Sequence, residues 1–171
     1  MTNRIVINFC IGTEQDRRTL SFIGKATIKE KFNGRVSEPA ITAYIEHHYS
    51  DHTLRGELNN ISNQVLVAFV DGEVAGYARI TTKGERPEIL QGKSVARIAD
   101  FSVLERFHET AVRKLLFEKC LCICKTRQTV WISEHEGAAD LTLFTDYGFI
   151  KNTTISGVNE LGIPLVYLIK E

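Results

Sequence analysis

Apolar and polar positions along the chain follow two periods, and the changes of period divide it into segments. Residues 4–9 (RIVINF) are short and β-branched, which predicts a first strand. Residues 13–32 open with Thr13 and acidic side chains, then space Leu20, Ile23, Ile28 and Phe32 unevenly. That pattern predicts a helix interrupted near Gly24. Residues 37–50 place Ser37 at a cap and Pro39 in the first turn, a favourable helix start, and 50–60 predict a short further helix. The clearest local signal is QVLVAFVDGEVAGYARI (64–80), where two apolar runs flank Asp71-Gly72. Glycine tolerates the positive φ of a tight hairpin turn, so this is read as two paired strands. A strand follows over 93–103. A helix over 109–125 carries Val112, Leu115, Leu116, Cys120 and Ile123 on one stripe. Then come a strand over 129–135, a helix over 137–147 ended by Gly148, and two closing strands, FIKNTTI and IPLVYLI.

No stretch is repetitive or rich in proline and glycine, so residues 1–171 are read as a single domain. A hairpin followed by strand–helix–strand predicts an α/β protein with a mixed sheet and helices on both faces.

Composition narrows the class further. Lys+Arg and Asp+Glu both number 21, so bulk charge gives no sign of a nucleic-acid or membrane-surface partner. No apolar run is long enough to span a bilayer, and MTNRIVINFC lacks the apolar stretch and cleavage site of a signal peptide. Three of the four cysteines (Cys10, Cys120, Cys122, Cys124) lie in CLCIC, a spacing that suits neither a disulfide nor a common zinc site. They are read as reduced thiols of a cytoplasmic protein. His48 and His52 are four apart, but Ser50-Asp51 between them reads as a helix break, and no third metal ligand is marked.

Several segments together carry a family resemblance: AYIEHHYSDHTLRGELNN, VAFVDGEVAGYARI, FSVLERFH, RKLLFEKCL, VWISEHE and DYGF. In this order they resemble the GNAT (Gcn5-related) N-acetyltransferases over almost the whole chain, most closely the PaiA-like polyamine acetyltransferases. The resemblance implies a mostly antiparallel central sheet splayed between the fourth and fifth strands. It implies acetyl-CoA as cosubstrate and a small, polyamine-like amine as acceptor, with neither nucleic acid nor membrane as partner. A homodimer through the C-terminal strands is compatible with it. The alternative is a GNAT-fold protein without catalysis that serves as a binding or regulatory module.

Carried onto this sequence, the pantetheine arm would bond backbone around Ser102, Val103 and Leu104. The pyrophosphate would sit on the loop His108, Glu109, Thr110, Ala111, Val112, Arg113 and the following Lys114, at a helix N-terminus where free N–H groups favour an anion. The family's glycines are replaced here by Ala111 and Arg113. In one reading Arg113, Lys114 and His108 supply charge to the phosphates. In the other, Glu109 and Arg113 pair at i,i+4 and close the loop. Phe144 takes the place of a tyrosine that in many members protonates the leaving thiolate, and would line the cofactor without donating; Tyr147 is the nearest alternative acid. Asp100 and Glu134 are candidates for the base that deprotonates the amine. Bland alternatives are a salt bridge from Asp100 to Arg79 or Arg97, and a solvated Glu134. Gly137 stands where an asparagine often contacts the cofactor. Tyr44, His48 and Tyr49 would be acceptor-side wall residues.

Overall fold

A computed structural model describes residues 2–171. The chain order is β1 (Ile5–Phe9), α1 (Glu14–Phe32), α2 (Glu38–His48), α3 (Asp51–Asn59), β2 (Asn63–Val70), β3 (Glu73–Thr81), β4 (Val95–Val103), α4 (Val112–Cys124), β5 (Thr129–His135), α5 (Leu141–Asp146), β6 (Ile150–Asn152) and β7 (Leu165–Lys170). The strands form one sheet in the order β1-β2-β3-β4-β5-β7-β6, antiparallel except where β4 meets β5.

Side-chain alternation along the strands builds a core on each face. On β2, Val65 and Val67 join Leu20, Ile23, Ile28, Ile41 and Leu54 of the first three helices. Leu66, Ala68 and Val70 face the other way, onto Val112, Leu116, Phe117, Phe144 and Phe149. The three N-terminal helices are capped by Thr13, Ser37 and Ser50, whose hydroxyls accept from the N–H groups of Asp16, Ala40 and Thr53. The β2–β3 turn has φ of +51° at Asp71 and +87° at Gly72, the paired positive values that a two-residue hairpin needs.

Three expectations are corrected. First, α1 runs without interruption through Gly24. A Cβ at Gly24 would stand 2.1 Å from the Tyr49 ring, so the glycine serves helix packing rather than helix ending. Second, α4 starts at Val112 and not 109, after a single 3₁₀ turn at Glu105–Phe107. Its buried stripe is Val112, Leu116, Phe117, Cys120 and Cys124, while Leu115 is 40% exposed. Third, the last helix is shorter than expected, beginning at Leu141.

The feature that positions the site is the junction of β4 and β5. They pair only at Val95–Thr129, Ala96–Val130 and Arg97–Trp131. Beyond that point β4 runs on to Val103 and β5 to His135 with no ladder between them. A register shift between β3 and β4 pairs Arg79 with Asp100 and Ile80 with Ile98, so Ala99 is the extra residue of a bulge. The sheet therefore splays between its fourth and fifth strands. Among the described residues, no helix is long and apolar enough to cross a membrane.

Candidate active site

The splay is a cleft with two compartments. An inner groove of about 440 Å³ is lined by Arg97, Asp100, Ser102, Glu134, His135 and Glu160, among others. It adjoins a cavity of about 280 Å³ beneath α2 and α3, walled by Tyr44, His48, Tyr49, Tyr77 and Arg79. An outer groove of about 320 Å³ lies at the open end, against Arg35, Val103, His108, Gly137 and Asp140. Lys31 and His135 belong to both grooves.

Lys31 reaches across from α1. Its Nζ donates to the Phe101 carbonyl at 3.2 Å and to Glu134 Oε2 at 3.4 Å, tying the two splayed strands together. The other Glu134 oxygen accepts from the backbone N–H of His135 at 3.0 Å and from its ring Nδ1 at 2.7 Å. Burial acts to raise the Glu134 carboxyl, but the Lys31 ammonium and the two bonds from His135 outweigh it and hold it at about 2. A carboxylate that acidic is a poor proton acceptor at neutral pH. It orients its neighbour instead: with Nδ1–H given to Glu134, the imidazole lone pair is on Nε2. His135 is 4% exposed and its ring packs on Phe32, with centroids 5.1 Å apart.

Asp100 accepts from Arg79 Nε at 2.7 Å, and Arg79 Nη1 reaches Glu57 at 3.1 Å. The salt bridge is thus to Arg79, not Arg97. Arg97 stands at the apex of the splay. Its Nη2 donates to Ser133 Oγ at 3.0 Å, its guanidinium carbon lies 4.5 Å from the Trp131 ring centroid, and its Nε is buried without a partner. His48 Nε2 contacts Glu160 at 2.8 Å, while His52 sits beyond the Ser50 break in α3.

The expected phosphate loop is held by its own side chains. His108 Nε2 donates to the Val103 carbonyl at 2.8 Å, and Thr110 Oγ1 donates to the Phe107 carbonyl at 2.7 Å. Glu30 accepts from the Glu105 N–H at 2.9 Å, and the Leu104 N–H goes to the Ala75 carbonyl of β3. Arg113 does not pair with Glu109. It donates through Nε (3.0 Å) and Nη2 (2.7 Å) to Asp140, and through Nη2 to the Ala139 carbonyl. Glu109, Ala111 and Lys114 are exposed, and Lys114 lies 3.9 Å from Glu118.

Asp100, Ser102 and Glu134 therefore meet in the inner groove, and Val103 and His108 line the outer one. Val112 and Phe144 do not reach either: both are 0% exposed, Phe144 inside a cluster with Phe101, Phe117 and Phe149. Tyr147 packs edge-on against Phe117 and donates its hydroxyl to Glu118 at 2.7 Å, a bond that pushes the phenol up to about 12. Lys31, His135 and the apex position of Arg97 are what the sequence reading missed. Only the adjacency of His135 to Glu134 was a usable signal.

No family model matches the chain. Solved structures do. PaiA N-acetyltransferase from Thermoplasma acidophilum, crystallised in complex with coenzyme A, superposes with a TM-score of 0.72 at 17% identity, covering 96% of this chain and 98% of that one. A GCN5-related N-acetyltransferase from Rhodopseudomonas palustris gives 0.70 at 12% identity, covering 100% and 96%. A GNAT-family acetyltransferase from Streptococcus pneumoniae gives 0.65 at 14%, covering 98% and 99%. The chain has the GNAT fold, with its mixed sheet splayed at β4 and β5.

Proposed function

We propose that this chain is an acetyl-CoA-dependent N-acetyltransferase whose acceptor is a small amine. The observation that carries the reading is the β4–β5 splay, which opens two unladdered strand edges onto two neighbouring grooves that share Lys31 and His135. The fit is by hydrogen-bond exchange. A pantetheine arm along Ser102, Val103 and Leu104 would replace Lys31 on the Phe101 carbonyl and His108 on the Val103 carbonyl. Arg35 at the outer groove, with Arg113 and Lys114 at the start of α4, would face the phosphates.

Bound acetyl-CoA supplies the activated acyl carbon. The chain supplies the rest. His135 Nε2 takes the ammonium proton of the acceptor, Glu134 stabilises the imidazolium that results, and Asp100 holds the incoming amine. The lone pair of the neutral amine forms the C–N bond as the C–S bond breaks, the second N–H proton shed by the new amide goes to the leaving thiolate, and His135 releases the first to solvent.

A second reading keeps the fold without catalysis. The Lys31 strut across the splay and the Arg113–Asp140 clamp favour it, since each occupies a place where a ligand would bind. Calorimetric titration with acetyl-CoA, followed by a free-thiol assay with an amine panel, separates the two. Micromolar binding with acceptor-dependent thiol release supports the enzyme. Absence of binding to the native chain overturns it in favour of the binding module.

A further inference from the structure

The charges around the inner groove do not balance pairwise. Among the described residues lining it and the adjoining cavity, Lys31 has Glu134, Arg79 has Asp100 and Glu57, and His48 has Glu160. Arg97 has no carboxylate. Its contacts are a serine hydroxyl and the face of an indole, and its buried Nε has no hydrogen-bond partner among the described residues. A guanidinium held in a half-buried cleft without a direct ion-pair partner is costly, and it stays charged at neutral pH. Burial pushes it below its usual range; Asp100 works against that and Arg79 with it.

We infer that Arg97 is an anion anchor and that the acceptor carries a carboxylate as well as its amine. The inference deepens the acetyltransferase reading and rests on it for the word acceptor. A carboxylate is the planar partner that a guanidinium fork receives best. Ser133 accepts from Nη2 and keeps its own proton, which it can donate to the same carboxylate. Trp131 closes the back of the guanidinium and holds its plane. Of the acids facing this point, Asp100 shares Arg79 with Glu57, Glu160 sits on His48, and Glu85 is exposed at the rim; none of them is an ion-pair partner of Arg97. The base, His135, is further along β5 toward the open end. An acceptor with its carboxylate at the apex and its amine toward His135 uses both ends of the groove, and a diamine leaves Arg97 bare.

The test is calorimetry on the full chain without acetyl-CoA, using glycine, β-alanine, 4-aminobutyrate and 5-aminopentanoate against n-butylamine and 1,4-diaminobutane. At least one amino acid is expected to bind about tenfold more tightly than either amine, and Arg97→Gln to remove that margin. Ser133→Ala, which leaves every charge in place, is expected to weaken the preferred amino acid and leave 1,4-diaminobutane unchanged, so the inference stays exposed even if Arg97→Gln fails to fold. Equal or tighter binding of the amines, no binding by any amino acid, or indifference to both substitutions overturns it. Acetyl-CoA is titrated separately. Amino-acid binding that depends on Arg97, with no acetyl-CoA binding, would sink the enzyme reading and leave the anion anchor standing.

Discussion

Lys31 joins β4 to β5 across the splay, and a double-mutant cycle measures its pairing with Glu134. At 3.4 Å and an effective dielectric of about 20, the gross attraction is about 5 kcal/mol. Both side chains are largely out of water, at 20% and 14% exposure, so desolvation offsets part of that and a coupling of about 2 kcal/mol is expected. Lys31→Met leaves a buried carboxylate without its cation and the Phe101 carbonyl without its donor, and should cost about 3 kcal/mol. Glu134→Gln keeps an oxygen for the two His135 donors and should cost about 2 kcal/mol. The double variant should then cost about 3 kcal/mol rather than the sum. Urea melts at pH 7 with linear extrapolation give all four corners. If the single losses add to within about 0.5 kcal/mol, the two groups are not coupled and the strut is a surface contact.

The remaining expectations are smaller in scope. Glu134 ionises at about 2 in the folded chain against an ordinary 4.5, so its contribution is complete above 4.5 and is lost as pH falls toward 2. The gap is worth about 3 kcal/mol, and the acid limb of a stability–pH curve should flatten in Glu134→Gln. Gly24→Ala drives a methyl into the buried Tyr49 ring and should cost about 2 kcal/mol by thermal or urea melt, where a merely helix-breaking glycine would give a gain. Arg113→Ala strands Asp140, whose side chain is 7% exposed, and should cost about 3 kcal/mol; a loss near zero would mean that the clamp is not formed in solution. Tyr147→Phe removes one hydroxyl bond to Glu118 outside both grooves and should leave turnover in the thiol-release assay unchanged; a loss of turnover would return the phenol to the site.

The strands and the hairpin were legible because their evidence is local. Asp71-Gly72 announces its turn, and alternating side chains fix the faces of β2. The breaks that failed are those decided by distant partners. Gly24 reads as an interruption until Tyr49, 25 positions later in the chain, is known to pack on it. The loop before α4 reads as helix from Glu109 because nothing nearby says that Thr110 will turn its hydroxyl onto Phe107. The site divides in the same way. Asp100 and Glu134 stand out as acids in or beside strands, whereas Lys31 is one of many lysines on a polar helix until β4 and β5 part beneath it. Arg113 next to Glu109 invited an i,i+4 pair, and the contest was won by Asp140, which is buried and offers a nearby carbonyl as well.

That outcome bears on what the open end of the cleft can hold. The side chains now on the Phe101 and Val103 carbonyls can be exchanged for a ligand's amides at little net cost, since one hydrogen bond replaces another. The phosphate end is different, because there the exchange is of charge. Glu30 already caps the Glu105 N–H with a carboxylate, and the Arg113 charge is spent on Asp140. Among the described residues, Arg35 is the cation of the outer groove that has only a carbonyl, that of Glu136, as its partner. A diphosphate entering this groove therefore meets one cation that is unpaired and one that must first leave a buried acid. On the acetyltransferase reading proposed above, affinity for acetyl-CoA would rest on the strand edge of β4 more than on the helix terminus, the reverse of what a glycine-rich loop would give.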